Sequence, residues 1–426
     1  MAQANALAGK LPRRQYVINL SSDRYHYLLG FCAAVIAGQT TLMPPNRQPQ
    51  TLRQVSDEYP DNYSLGDDGQ CDFEIPADDI ANLESGVRDA AIPEIRCDQL
   101  CVIAFTSGST GAPAPNLKYW ETLRTGAIAD VELLTDEASD GLALLATVPP
   151  QHMWGFEASI LLPLFVNVAV SNLAPFYPQD IADALRSLPA PRALISSPVH
   201  LDALRRSGIR LPRLQKIFAA TSPLSMAQAQ VLEKQFDTSL LEAFGCTESG
   251  IMAVRSTSAE TVWRLSDVFH LEVETDRVIV RAQHLPEDAI LPDRIELTGD
   301  RQFRWLGRNQ DMINIAGKRG SISDLNQRLN AVPGVVDGVI FTPENSPDRL
   351  AALVVAPGLE PSDILGALKP QIEPVFLPRP VYVVSAIPRQ ETGKISKKMM
   401  MELFEETKLK RMPDRNTDTP ASGDAE

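Results

Sequence analysis

Apolar runs and helical patterns alternate along most of the first 250 residues, and that alternation restricts the fold more than any other feature. "YHYLLGFCAAVIAG" (residues 25–38) has helical spacing and ends at Gly38, and "TTLMP" follows as a short strand. Further on, "GLALLATVPP", "VNVAVSN", "RALISSP", "KIFAATSP" and "LLEAFG" read as strands. "WGFEASILLPLF", "DIADALRSL", "LDALRRSG" and "SMAQAQVLEKQF" read as the helices between them. Strands that alternate with helices predict a mainly parallel sheet covered by helices.

The pattern changes near residue 263. "RVIVRA", "DRIEL" and "QFRWLG" are short alternating strands of an antiparallel region. After them come a helix ("SISDLNQRLNAV"), two strands ("VVDGVIFTP", "RLAALVVAP"), a helix ("PSDILGALKPQI") and a strand ("RPVYVVSAIP"). The expected fold is α/β: a large N-terminal domain with parallel helix-covered sheets plus a small antiparallel β region, then a small α+β C-terminal domain. The expected boundaries are 1–308 and 309–410, with the polar residues 411–426 as a disordered tail.

Composition narrows the partners. Forty Lys and Arg against 54 Asp and Glu give a net charge of −14 with no dense basic block, so nucleic acid and anionic membrane are poor partners. Cys32, Cys71, Cys97, Cys101 and Cys246 are an odd number without a CxxC pair, as expected of reduced thiols in a cytoplasmic protein. "LLGFCAAVIAG" is about half the length that a bilayer requires.

The stretch "FTSGSTGAPAPNLK" (105–118) follows the apolar run "LCVIAF". A strand that runs into Gly, Ser and Thr offers backbone N–H groups and hydroxyls on one concave surface, which suits a polyphosphate. Gly108 and Gly111 allow close approach, and Thr106, Ser107, Ser109 and Thr110 are donors. No GKS or GKT closes the loop, so it is not a Walker A motif.

Four motifs, "TSGSTG" (106–111), "FGCTE" (244–248), "LGRNQDMINIAG" (306–317) and "ETGKISK" (391–397), together resemble the adenylate-forming superfamily. That superfamily includes acyl-CoA synthetases, aryl-acid ligases and adenylation domains. The resemblance implies that Thr106, Ser107, Gly108, Ser109, Thr110 and Gly111 wrap ATP phosphates. The family pattern continues to a lysine where this chain has Ala114, and the first lysine is Lys118. Either Lys118 reaches back to the phosphates or the loop works on backbone donors alone.

By the same resemblance Phe244 flanks adenine, Thr247 binds the α-phosphate and Glu248 holds Mg²⁺. "LTGD" offers Asp300 for the ribose, but it lies too close to Arg308 for the family spacing. Asp293 takes the ribose hydroxyls instead, and "TGDR" becomes the turn of a hairpin between "RIEL" and "QFRWLG". Arg308 contacts ribose or phosphate, Gln310 sits at the hinge about which the small domain rotates, and Lys394 reaches over during adenylation. A cation there joins two anions and neutralises developing charge. "QHMWGFE" places His152, Trp154 and Phe156 beside the acid, and "FAATSPLS" adds Ala220, Thr221 and Ser222 as a second wall.

The implied activity is an ATP- and Mg²⁺-dependent acid–thiol ligase. It would form an acyl- or aryl-adenylate from an aromatic or fatty acid and pass the acyl group to CoA or to the phosphopantetheine of an acyl carrier protein. "PAPNLK", "HMWGFE" and "GKRGS" are similar to stand-alone ligases of bacterial aryl polyene or xanthomonadin-type pigment clusters. The alternatives are an adenylate-forming enzyme with a non-thiol acceptor and a degenerate module that binds nucleotide without turnover.

Overall fold

The structure of the protein, a computed structural model, describes residues 1–75, 91–107, 113–136, 139–274, 277–308, 312–315, 318–343, 349–389, 395 and 397–410. The chain divides into two compact units, one holding Met1–Leu306 and the other beginning at Gly307. The expected α/β class is what is observed.

The first unit carries two large sheets. The smaller one has six strands in the order Phe73–Glu74, Asn62–Gly66, Tyr16–Asn19, Thr40–Met43, Leu100–Ser107 and Pro113–Tyr119. Its pairings are parallel except for the last, where Pro113–Tyr119 folds back antiparallel on Leu100–Ser107. Helix Arg24–Ile36 begins at Asp23, whose carboxylate accepts the N–H groups of Tyr25 and His26.

The larger sheet has nine strands. Its parallel half runs Ser239–Cys246, Lys216–Ala219, Arg192–Ser196, Leu142–Ala146 and Val168–Val170. Leu142–Ala146 is buried throughout because both faces are covered. Leu144 and Ala146 join one core with Trp154, Phe218 and Ala220, whereas Leu145 faces the other, under helices Pro178–Ser187, Pro198–Ser207 and Met226–Phe236. The antiparallel half adds Gly250–Arg255, Val262–Leu265, Gln302–Arg308 and Asp293–Gly299. Asp293–Gly299 and Gln302–Arg308 are neighbours, so Asp300 falls in their turn, as the hairpin reading predicts. A small antiparallel sheet of His270–Val273, Val278–Arg281 and Ala289–Leu291 completes the unit.

One expected helix differs. "WGFEASILLPLF" forms a short α-helical turn, Met153–Phe156, then a wider π-helical turn, Glu157–Leu161, then a 3₁₀ turn, Leu162–Leu164. The wide turn accommodates an extra residue, and such insertions gather at functional sites. Pro163, inside the last turn, cannot continue an α-helix.

The second unit packs helices Ile322–Asn330 and Pro361–Leu368 on the sheet Asp337–Phe341, Ala351–Val355, Val381–Val383. Leu325, Leu329, Ile340, Val354, Ile364 and Leu368 form its core. Among the described residues no helix is long and apolar enough to cross a membrane.

Candidate active site

Strand Ser239–Cys246 turns through Thr247, Glu248 and Ser249 into strand Gly250–Arg255, and Cys246 pairs with Gly250. Two glycines make this turn possible. A Cβ on Gly245 would lie 2.1 Å from the Gly250 carbonyl oxygen, and Gly250 has φ +79°. Thr247 and Glu248 are therefore carried at the tip of a tight, sterically fixed hairpin.

Lys118 meets this hairpin from the other sheet. It lies on Pro113–Tyr119, the strand that leaves the Gly/Ser/Thr loop, with only 3% of its surface exposed. Its ammonium donates to the Glu248 carbonyl at 2.7 Å. Desolvation lowers its pKa, opposed by the charges of Glu157, Cys246 and Glu248. Lys118 in this arrangement is turned to the protein interior and holds the Glu248 peptide.

Glu157, the first residue of the π-helical turn, is 8% exposed, and its carboxylate accepts the Ile251 N–H at 3.3 Å. A Cβ on residue 250 would lie 2.3 Å from this Glu157 oxygen, so the carboxylate rests directly on the turn backbone. Burial pushes the Glu157 pKa up to about 7, with Lys118 pulling the other way. Behind it Asp130, 1% exposed on helix Trp120–Leu134, finds no hydrogen-bond partner for either oxygen among the described residues. Burial and the neighbouring Glu157 raise its pKa as well.

The sign of the resulting pH dependence follows. Each carboxyl titrates higher in the folded state. The favourable contribution of Glu157 is complete below its unfolded pKa of 4.5 and is lost as pH rises through about 7, and that of Asp130 is lost in the same direction. We expect the melting temperature of the wild-type protein to fall from pH 5 to pH 8 more steeply than that of Asp130→Asn, measured by thermal denaturation at both values.

Two of the residues expected at the nucleotide, Phe244 and Asp293, lie against one aromatic cluster. Phe244 is half-buried, its ring 5.2 Å from Trp263 and 5.4 Å from Phe303. Trp305, two residues from Phe303 and on the same face, donates its indole N–H to the buried Asp293 carboxylate at 2.8 Å. Asp293 thus stands near the aromatic cluster, and Asp300 is exposed in its turn.

Trp154 is buried with Ala220 and Phe218, and its indole N–H donates to the Ser196 carbonyl at 3.0 Å. Phe156 belongs to a different core, edge-on to Phe31 at 5.0 Å. His152 precedes the short helix, at its N-cap. Of the expected acid-site aromatics, only Trp154 shares a core with the Ala220 wall.

Thr221 has φ +85°, which a β-branched residue rarely adopts, and its hydroxyl lacks a hydrogen-bond partner among the described residues. Such strain costs about 1–3 kcal/mol and collects at binding sites. Ser222 beside it is exposed. Thr221→Gly should stabilise the protein by on the order of 1 kcal/mol, strain relief outweighing the added freedom of the unfolded chain. A rise in melting temperature checks this.

Glu242 anchors this wall to the hairpin. Its carboxylate accepts from Arg255 at 2.7 and 2.9 Å, from Thr257 at 2.6 Å and from the Leu224 N–H at 2.9 Å. Thr106 is the second-last residue of strand Leu100–Ser107, which leads into the Gly/Ser/Thr stretch. Gly108, Ser109, Thr110, Gly111, Gln310 and Lys394 lie outside the described residues, and of Ser107 and Arg308 only the strand positions are described.

The chain matches the family described as AMP-binding enzyme over residues 18–271. The chain belongs to that family. A 4-coumarate–CoA ligase of Halorhodospira halophila is 29% identical over 254 residues, 59% of this chain and 62% of the relative. The match therefore spans about three fifths of that relative's length. A 3,4-dihydroxybenzoate–[aryl-carrier protein] ligase of Bacillus anthracis is 19% identical over 311 residues, 70% of this chain and 73% of the relative. The ATP-bound crystal structure of MatB from Rhodopseudomonas palustris shares the fold, with a TM-score of 0.78 at 18% identity over 95% of this chain and 92% of that one.

Within this AMP-binding chain, the donor set suits a divalent cation at Glu248. The carboxylate is half-buried at a turn tip, beside the Cys246 thiol. One carboxylate completed by phosphate oxygens is the usual Mg²⁺ arrangement. Asp68, Cys71 and Glu74 also bring donor atoms within 4.8 Å of one another. Burial and the adjacent carboxylates push the Cys71 thiol up to about 11, so it stays protonated near neutral pH and is a poor ligand. The Cys246 thiol is pushed up to about 12, chiefly by burial, and is packed rather than reactive.

Sequence reasoning missed Glu157 and Asp130. Their signal was an acid inside each of two apolar helical stretches, Glu157 in "WGFEASILL" and Asp130, two residues before Glu132, in "GAIADVELL".

Proposed function

We propose that this protein is an ATP-dependent carboxylic acid ligase. The acid's carboxylate oxygen bonds to the α-phosphorus of ATP, the bond to the bridging β-oxygen breaks, and pyrophosphate leaves with that electron pair. A thiolate sulfur of CoA or a carrier-protein phosphopantetheine then bonds to the acyl carbon, and AMP leaves. The observation that carries this reading is the Lys118–Glu248 hydrogen bond. It brings the strand leaving the Gly/Ser/Thr loop onto the turn that presents Thr247 and Glu248.

Thr247 donates to the α-phosphate, Phe244 and Asp293 hold adenine and ribose, and Arg308 contacts ribose or phosphate. Mg²⁺ held by Glu248 would screen phosphate charge. Lys394, brought over by the small domain turning about Gln310, stabilises the charge that develops between carboxylate and phosphate. His152, Trp154, Ala220, Thr221 and Ser222 are assigned to the acid side. Phe156 supports that side from the core behind it.

A hydroxylated aromatic acid is our first choice of substrate, since the relatives above are named for 4-coumarate and 3,4-dihydroxybenzoate. The likeness of "HMWGFE" and "GKRGS" to pigment-cluster ligases points the same way. Acid-dependent pyrophosphate exchange into ATP, with hydroxybenzoates, cinnamates and fatty acids, tests the reading. Exchange with one class supports it, and ATP binding without exchange for any acid would favour the non-catalytic module.

A further inference from the structure

We propose that Lys118 is a positioning residue: together with Glu157 it clamps the hairpin turn at its tip and at the strand that leaves it, so that Thr247 and Glu248 meet the nucleotide's phosphates and their divalent cation in one fixed arrangement. This rests on the adenylate-forming reading of the site.

Lys118 holds the Glu248 carbonyl, before the Ser249 peptide, and Glu157 holds the Ile251 N–H three residues on. The two grips come from different segments. One is the strand that leaves the phosphate-loop stretch, the other the wide helical turn that follows His152. Three stretches that the sequence assigns to phosphate, acid and metal are thus joined through one buried cation and one buried anion.

The arrangement is expensive as a source of stability. A lysine with 3% exposure that among the described residues donates to one carbonyl has given up most of its hydration. Buried charge pairs of this kind are often matched or bettered in stability by apolar residues of similar volume. What an apolar residue cannot do is orient the Glu248 peptide. The Glu157 carboxylate likewise occupies the space that a Cβ at residue 250 would need, so it packs directly on the left-handed glycine there.

Lys118→Met, its double variant with Glu157→Gln, and the wild-type protein are compared by titration calorimetry of ATP in excess Mg²⁺ and in EDTA. Melting temperatures are recorded alongside. The expected result is that Lys118→Met keeps the affinity for Mg²⁺-free ATP and loses about tenfold or more of the enhancement that Mg²⁺ gives, the scale of losing a group that orients a metal ligand. The double variant should show the same loss, and it replaces the single variant if that fails to fold.

Three outcomes overturn the proposal. Unchanged Mg²⁺ enhancement with a lower melting temperature makes Lys118 merely structural. Equal loss of affinity with and without Mg²⁺ makes it a phosphate contact. A wild-type protein without Mg²⁺ enhancement also overturns it. Failure of pyrophosphate exchange for every acid would instead count against the ligase reading, since the calorimetry needs no turnover.

Discussion

Glu248→Gln should lower acid-dependent pyrophosphate exchange roughly 100- to 1,000-fold, the usual effect of removing one preorganised electrostatic partner of a transition state. The substitution keeps the shape of the side chain and its carbonyl bond from Lys118, so the turn itself is preserved. What it removes is the negative charge that makes the position a hard-cation ligand. Raising Mg²⁺ should recover part of the loss, because a weaker site fills at higher metal concentration. Exchange rates for wild type and variant across an Mg²⁺ series decide this, and near-wild-type exchange at limiting Mg²⁺ would remove Glu248 from the metal site.

Lys394→Ala should be as damaging to adenylation and nearly silent in binding. A cation between carboxylate and α-phosphate acts on charge that appears in the transition state. We therefore expect a loss of roughly 100- to 1,000-fold in exchange. ATP affinity should change by less than about threefold, since uniform ground-state binding is not where such a group contributes. The thiol step offers an internal control. Supplied with synthetic acyl-adenylate, the variant should form thioester at close to the wild-type rate. A variant that loses both half-reactions would show that Lys394 has a broader role than the one assigned.

The buried strands were legible because burial on two faces writes itself into composition, whereas their order in the sheet was not. "LALLA" could be read as a buried strand without any partner in view, and it is buried at every position. The hairpin around Asp300 was legible for a local reason: a polar Gly-containing turn between two alternating runs. The break in "WGFEASILLPLF" was not legible, since α, π and 3₁₀ turns differ in hydrogen-bond span and share nearly the same apolar spacing.

The site was legible as a set of parts. "FGCTE" announced a turn residue and a carboxylate, and the ordered motifs gave them roles. The orientation of Lys118 was hidden, because strand Pro113–Tyr119 inverts the usual pattern: Leu117 is 40% exposed and Lys118 is 3% exposed. A strand's side chains alternate between faces, and polarity alone would have chosen the opposite register. Thr221 hid its strain for a similar reason, as a backbone angle leaves no mark on residue identity unless the residue is glycine.

The sequence by itself therefore determined the alternating architecture and the chemistry each side chain can offer, which follow from periodicity, turn composition and residue type, all of them local. The nucleotide and acid roles of its motifs are what their resemblance to the family implies. Only the tertiary structure decided that Lys118 turns inward and that Glu157 meets Ile251, 94 positions away. It also set the Lys118 ammonium on the Glu248 carbonyl, 130 positions along the chain. Contacts at such separations are set by how two sheets pack, and no local pattern encodes that.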